Sequence, residues 1–406
     1  MKLSYTPIKI NQFQFEITGS KSISNRYLIL KALFPNLELK GLSNSDDTQV
    51  LQKALSKPLE ETKEIDIHHA GTAMRFLTAY LSTIPGSEIM LTGSERMQER
   101  PIGILVEALR TLGASIEYVK IEGFPPLRIS GKSLRKDTIS ISADVSSQYI
   151  TALMLIAPSL KNGLTIKLES KVTSKPYLRM TAQALESIGV KVDFDSHSIK
   201  VYSQTEIEPT QIAVESDWSS VSYFYSCLAL MKTGTFEIST FNKNSLQGDS
   251  KVAEFYKLLG IETQFDKESI QLSKIEDFKF PTKIELDLND TPDLAQTFAV
   301  TCLGLGVECV LTGLHTLKVK ETDRLVALKN EIEKFGAEVF ITTESLHLKL
   351  ISKLHSEVKI KTYQDHRMAM AFAPLALKTD LEILNPEVVS KSFPDFWEKM
   401  NMLGIQ

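Results

Sequence analysis

Apolar residues in this chain gather into runs, and six of those runs open the same way, about every 70 residues, directly behind a short polar or charged cluster. The openings are Ser20-Lys21-Ser22-Ile23-Ser24-Asn25-Arg26, Ala70-Gly71-Thr72-Ala73-Met74-Arg75, Val145-Ser146-Ser147-Gln148, Asp217-Trp218-Ser219-Ser220, Thr291-Pro292-Asp293-Leu294 and Gln364-Asp365-His366-Arg367. Each predicts the start of a helix. Most units carry a second helical stretch, and five of these end on Gly113, Gly189, Gly260, Gly336 and Gly404. Glycine suits the position after a helix because it takes the left-handed conformation without a steric penalty. Strand-like segments follow or surround the helices at 115–119, 139–142, 164–168, 283–288 and 338–341. A period near 70 is too long for a solenoid repeat of ~20–50 residues and suits a larger α/β unit such as βαβαββ. Six such units predict two domains of three, with a seam around residues 212–215. The fold class is α/β, in the α+β sense, without a G-x-G-x-x-G fingerprint.

Helix N-termini expose unpaired N–H groups and a partial positive charge, so several converging openings would favour a multiply anionic ligand. The openings and the segments near them carry matching chemistry. Lys21, Ser22, Ser24 and Arg26 put two cations and two hydroxyls on one stretch. A P-loop needs glycines where Phe15 and Ser20 stand, which excludes a Walker-type site. Arg100 precedes Pro101, a residue suited to a first helical turn. Ser146, Ser147 and Gln148 offer two hydroxyls and an amide. Lys320-Glu321-Thr322-Asp323-Arg324, Asp365-His366-Arg367 and Lys391-Ser392-Phe393-Pro394-Asp395 open three further helices. Any one of these alone reads as a solvated, salt-bridged helix end. Their repetition points to one shared pocket, in which Lys21, Arg26, Arg100, Arg324, Arg367 and Lys391 would suit two anionic substrates. Asp293 and Glu321 are the acid–base candidates.

Composition narrows the alternatives. The 406 residues are 43 % hydrophobic and 24 % charged, ordinary for a globular chain long enough for two domains. A net charge of −4 gives no support for a nucleic-acid partner. Cys227, Cys302 and Cys309 sit in apolar stretches and read as buried, reduced thiols, and His68-His69 is too little for a metal cage. No apolar run approaches the ~20 residues of a membrane span, and the first residues lack the apolar core of a signal peptide. The expectation is a cytoplasmic protein with no metal.

The motifs resemble the 5-enolpyruvylshikimate-3-phosphate synthase family. The resemblance rests on Gly19-Ser20-Lys21-Ser22-Ile23-Ser24-Asn25-Arg26, Ala70-Gly71-Thr72-Ala73-Met74-Arg75, Arg96-Met97-Gln98-Glu99-Arg100-Pro101-Ile102, Ser146-Ser147-Gln148, Ser174-Lys175-Pro176-Tyr177, Lys320-Glu321-Thr322-Asp323-Arg324-Leu325, Asp365-His366-Arg367-Met368-Ala369-Met370 and Lys391-Ser392-Phe393-Pro394-Asp395, in the family's order. It implies a two-domain inside-out α/β barrel, with three βαβαββ repeats per domain and the active site in the interdomain cleft. Residues 20–214 would form an N-terminal domain serving mainly shikimate 3-phosphate. Residues 1–19 and 215–406 would form a C-terminal domain serving mainly phosphoenolpyruvate and carrying the catalytic carboxylates.

The reaction implied is transfer of the enolpyruvyl group of phosphoenolpyruvate to the 5-hydroxyl of shikimate 3-phosphate, with release of phosphate, by a monomer without cofactor. The resemblance assigns shikimate 3-phosphate to Lys21, Ser22, Arg26, Ser146, Ser147, Gln148, Ser174, Asp293 and Lys320. It assigns phosphoenolpyruvate to Lys21, Gly71, Arg100, Gln148, Arg324, Arg367 and Lys391. Catalysis falls to Asp293 as base at the 5-hydroxyl, Glu321 as the group exchanging a proton with the methylene carbon, and Lys21. Four departures stand out: His69 for an asparagine, Phe76 for a proline, Thr316 for an asparagine, and a short stretch at 57–66 that predicts a trimmed hairpin. Two alternatives are the sister enzyme acting on UDP-N-acetylglucosamine and a non-catalytic anion-binding relative. The first usually has Lys-Asn in place of Lys21-Ser22, and a loop cysteine that residues 96–102 lack.

Overall fold

A computed structural model describes residues 1–142, 147–169, 175–350 and 353–406. The chain forms two compact units, one of Gly19–Val214 and one of Met1–Thr18 with Glu215–Gln406.

In the unit built from Gly19–Val214, strand Glu64–Asp66 runs parallel to Glu88–Thr92. Next in the sheet come Leu127–Ser130 and then Ser115–Tyr118, each antiparallel to its neighbour. Thr138–Ile141, Leu164–Leu168, Ser198–Val201 and Val192–Phe194 repeat the pattern. A parallel pair joined through a helix, followed by an antiparallel hairpin, is the βαβαββ order that the 70-residue period predicts. The remaining repeat has only Leu37–Lys40 paired in parallel with Thr210–Ala213. Residues 57–63 pass from helix Asp46–Leu55 to strand Glu64–Asp66 without forming a hairpin, so the trimming is complete there.

The other unit repeats the plan with strands drawn from both ends of the chain. Gln12–Phe15 lies parallel to Thr235–Ser239, followed by Ser269–Lys274 and Ile261–Phe265. Lys283–Asp287, Glu308–Thr312, Leu346–Leu350 and Ala337–Ile341 form the second sheet. In the third, Val358–Ile360 pairs in parallel with Leu381–Ile383, and Lys2–Leu3 adds antiparallel to the latter.

The helices behind the six openings form the centre of each unit. Lys21–Leu33, Gly71–Ser82 and Ser147–Ile156 pack on one another, as do Trp218–Leu230, Ala295–Leu305 and His366–Phe372. Residues 73–82, 149–156 and 220–230 are buried without interruption. A helix that is apolar all round has no face suited to water and is stable only inside. Its polar first turn is then held at the end of a buried rod, where the backbone N–H groups keep their value for a ligand.

The second helix of each repeat lies outside this centre, and five of the six stop at a glycine, the exception being Asp46–Leu55, which ends at Ser56. Gly113, Gly189, Gly260, Gly336 and Gly404 have φ of 109°, 88°, 80°, 86° and 79°. Two helix starts differ in detail from the sequence expectation. Helix Gly103–Leu112 starts beyond Pro101, which therefore lies just before the cap residue Ile102 and not in the first turn. Thr291 opens a 3-10 turn, Pro292–Leu294, before helix Ala295–Leu305 begins.

Glu215 fixes the chain's return into the discontinuous unit. Its buried carboxylate accepts from Trp218 Nε1 at 2.9 Å, Asn242 N at 3.0 Å, Ser245 Oγ at 2.6 Å and Gln247 Nε2 at 3.0 Å. Among the described residues no helix is long and apolar enough to cross a membrane, and no group of three His, Cys, Asp or Glu is placed to hold a metal ion. The three cysteines are buried and unpaired as thiols.

Candidate active site

In the unit of Gly19–Val214, Lys21 opens the first central helix and its Nζ lies 3.7 Å from Asp47 Oδ2. Asp47 is buried on helix Asp46–Leu55, and its Oδ1 is 3.9 Å from His69 Nε2. One carboxylate thus ties Lys21 to the His69 departure. Arg26 is committed to its own unit: Nε donates to Thr181 Oγ1 at 2.8 Å, Nη1 to the Ser22 carbonyl at 2.6 Å and Nη2 to the Tyr177 carbonyl at 3.2 Å. Burial pushes its guanidinium down to about 10. Phe76 fills the space beside it, with its ring centroid 5.9 Å from the Arg26 guanidinium carbon. The assigned ligand Arg26 therefore also braces the Ser22 turn against helix Lys175–Glu186.

The second and third central helices meet at Gln148, whose Nε2 donates to Thr72 Oγ1 at 3.5 Å. Ser147 is the first residue of helix Ser147–Ile156. Ser146 and Ser174 lie outside the described residues. The Pro101 carbonyl accepts from Tyr149 Oη at 2.7 Å and Arg75 Nη2 at 3.1 Å, while Arg75 Nη1 reaches the Gly71 carbonyl at 3.0 Å. These bonds hold Arg100 against Gly71. A Cβ on Gly71 would stand 2.5 Å from Arg100 Nη1. Gly71→Ala is therefore expected to displace the Arg100 guanidinium and leave the fold intact. The KM for the anionic substrate that the resemblance assigns to Arg100 should rise about tenfold, the equivalent of one lost charge-assisted hydrogen bond, with little change in Tm. Steady-state kinetics and calorimetry check this; a KM within twofold of the parent would show that Arg100 moves aside freely.

The second cluster lies in the discontinuous unit and is denser. Asp293 Oδ1 is 2.9 Å from Arg324 Nη1 and 3.7 Å from Lys320 Nζ, and its Oδ2 is 2.9 Å from Arg367 Nη2. Glu321 receives Arg324 Nη2 at 2.8 Å and Lys391 Nζ at 2.7 Å. Asp365 accepts Arg324 Nε at 2.6 Å and caps its own helix through Arg367 N at 2.9 Å. Its Oδ1 also accepts from Arg324 Nη2 at 3.3 Å. Arg324 is 2 % exposed, and three carboxylates occupy four of its five N–H groups.

Four cations thus face three carboxylates here, so the positive excess expected from the sequence is largely offset within the unit. Burial by itself would raise the Asp293 carboxyl, but Arg367, Lys320 and Arg324 outweigh it and hold the group well below the usual carboxylate range. The same three-way contact, led by Asp365, keeps Arg324 protonated despite its burial. Thr316, the third departure, has a buried Oγ1 with no hydrogen-bond partner among the described residues.

A family model for EPSP synthase (3-phosphoshikimate 1-carboxyvinyltransferase) matches residues 38–400. The chain belongs to the EPSP synthase family. A 3-phosphoshikimate 1-carboxyvinyltransferase from Bacteroides fragilis (strain YCH46) is 45 % identical over 393 residues, covering 96 % of this chain and 94 % of that protein. One from Vibrio cholerae serotype O1 (strain M66-2) is 36 % identical over 430 residues, covering 99 % of each. The EPSP synthase structure from Acinetobacter baumannii superposes with a TM-score of 0.80 at 21 % identity, over 100 % of this chain and 99 % of that one. At that identity the superposition speaks to the EPSP synthase fold alone.

Within this EPSP synthase family member, the sequence motifs account for Lys21, Gly71, Arg100, Asp293, Glu321, Arg324, Arg367 and Lys391. Four groups that bear on them were not singled out from the sequence. Asp365 reads as a simple cap residue, and Ser219 as the third residue of an opening with no assigned role. Asp47 and Asp249 lie outside every opening, and no local pattern marks them.

Proposed function

We infer that this chain transfers the enolpyruvyl group of phosphoenolpyruvate to the 5-hydroxyl of shikimate 3-phosphate and releases phosphate, within aromatic amino acid biosynthesis. Membership of the family supports the reaction. The observation that carries the mechanism is the pair Asp293 and Glu321, each held within 3 Å of arginine or lysine donors. Lys21, Ser22, Arg26, Ser146, Ser147, Gln148, Ser174 and Lys320 are proposed to hold shikimate 3-phosphate. Gly71, Arg100, Arg324, Arg367 and Lys391 are proposed to surround phosphoenolpyruvate, with Lys21 and Gln148 serving both substrates.

Glu321, in its protonated form, delivers a proton to the methylene carbon, which makes the neighbouring enol-ether carbon electrophilic. The 5-hydroxyl adds there as its proton passes to Asp293. Return of a methyl proton to the Glu321 carboxylate and cleavage of the C–O bond to phosphate then restore the double bond. Cations that hold both substrates in line supply proximity and stabilise charge in the transition state.

Asp293 is a weak base while Arg324, Arg367 and Lys320 all face it. An anionic substrate that draws on the arginines' charge relieves that pull and strengthens the base where it is needed. Arg324 has at most one N–H to spare, so its main part in this scheme is to set Glu321 and Asp293 at a fixed spacing. The deciding experiment mixes purified protein with shikimate 3-phosphate and phosphoenolpyruvate and measures phosphate release. Release only with UDP-N-acetylglucosamine would support the sister reaction, and no release with either acceptor would leave the anion-binding reading.

A further inference from the structure

One buried carboxyl beside the second cluster has no part in the chemistry above. Asp249 is 4 % exposed and lies in the short turn Gly248–Lys251. The turn is docked on the first residues of helix Trp218–Leu230. Gln247 Oε1 accepts from Trp218 N at 3.0 Å, and Gln247 Nε2 donates to the Ser216 carbonyl at 2.8 Å. Ser219 Oγ then bonds Asp249 Oδ2, and Arg367 Nη2 donates to the same Ser219 Oγ at 3.3 Å. The other oxygen, Oδ1, is buried without a hydrogen-bond partner among the described residues. An aspartate is thus fixed two bonds from an arginine that also grips Asp293.

We propose that Asp249 is a positioning residue for the reaction, which acts through Ser219 to set how much of Arg367's charge is offered to the anionic substrate. The inference rests on the assignment of Arg367 to phosphoenolpyruvate made above. When Asp249 is ionised, Ser219 donates its O–H hydrogen bond to the carboxylate and Arg367 donates to the serine oxygen. A negative charge then sits one link behind the guanidinium and competes with an incoming anion. When Asp249 is neutral, that offset is gone and Arg367 keeps its charge for the ligand. An anion at Arg367 and a proton on Asp249 therefore favour each other.

The surroundings place this exchange near neutral pH. Asp249 is faced by Asp217, the cap of helix Trp218–Leu230, and Ser219 from its first turn, by Asp293 from Pro292–Leu294, and by Arg367 from helix His366–Phe372. Burial first, then the charges of Asp293 and Asp217, push the carboxyl up to about 7 against the opposing pull of Arg367 and the Ser219 bond. Its pKa in the unfolded chain is lower, so its contribution to stability is full in acid and is lost as the pH rises through about 7.

Asp249→Asn keeps the shape and fixes the neutral state. The test compares the KM for phosphoenolpyruvate in the parent enzyme and this variant from pH 6 to 8.5, so that the ligand's own ionisation cancels in the ratio. The two values should agree at pH 6. By pH 8.5 the parent's KM should be about fivefold the variant's, the effect of one screened charge, with the KM for shikimate 3-phosphate unchanged. The variant's Tm should also gain on the parent's over the same range.

Ser219→Ala provides a second arm should the first variant fail to fold. Removing the serine hydroxyl cuts the link between Asp249 and Arg367, so the rise in the KM for phosphoenolpyruvate with pH seen in the parent should flatten in this variant. A ratio that stays flat with pH, or a Ser219→Ala profile that superposes on the parent's, overturns the inference. An Arg367→Lys control separates the two layers. If it leaves the KM for phosphoenolpyruvate unchanged, the Arg367 assignment fails; if it raises that KM while the ratio stays flat, only the role of Asp249 fails.

Discussion

Asp293→Asn should lower kcat by about 10³-fold, the usual scale for losing a positioned general base, while the protein stays folded. The amide is nearly isosteric with the carboxylate, and its single oxygen can still accept from one of Arg324 and Arg367. It cannot take the 5-hydroxyl proton at any useful rate. Phosphate release under saturating substrates measures the loss, and a kcat within tenfold of the parent's would remove Asp293 from the proton transfer. The same substitution carries a signature in stability. The folded-state carboxyl lies below its unfolded value because of the three cations. Its contribution is therefore present above the unfolded pKa of about 4 and is lost as the pH falls further. The parent's advantage in Tm over the variant should shrink in acid.

The largest effect on stability is expected from Arg324→Met. The side chain is 2 % exposed and answers Asp293, Glu321 and Asp365 at once. Methionine fills much of the volume but leaves three carboxylates facing one another, with Asp365 at 0 % exposure. Breaking a buried charge cluster from one side costs about 3–5 kcal/mol, which corresponds to a Tm lower by roughly 10 °C in a unit of this size. Calorimetry reads the shift, and activity should vanish with it because Glu321 and Asp293 lose their spacing. Arg324→Lys restores one charge without the two-pronged geometry and should recover only part of the loss. A methionine variant within 1 kcal/mol of the parent would mean that the carboxylates find water or take up protons easily.

The repeat was legible because both of its markers are local. An all-round apolar helix behind a polar first turn can be read from a dozen residues, and so can a glycine that stops the second helix. Strand segments such as 164–168 and 283–287 were legible for the same reason. The departure at Pro101 was not, because proline suits the position before a cap almost as well as the first turn, and only the packing of Tyr149 and Arg75 on its carbonyl decides. The charges at the openings could be counted from the sequence, but their partners could not. Asp365 answers Arg324 across 41 residues, and Asp249 meets Ser219 across 30. Such pairings arise where separate turns are brought side by side, and neither residue's neighbours in the chain announce them. Arg26 shows the same limit: its cationic character is obvious, but its commitment to Thr181 and Tyr177 depends on a helix about 150 residues away.

The division of one unit between the two ends of the chain has a consequence for how the protein is made. Residues 19–214 form a unit whose strands are all supplied from within that stretch, so it can close as soon as it has left the ribosome. Phe13 and Phe15 must wait for strand Thr235–Ser239, and Lys2–Leu3 must wait for Leu381–Ile383. At a synthesis rate of about 5–20 residues per second, the first wait is on the order of 10–40 seconds and the second longer still. Throughout it, an apolar strand edge bearing two phenylalanines stands ahead of an already folded body. Yield should therefore depend on how well that edge is shielded during synthesis, a demand that falls on residues 12–15.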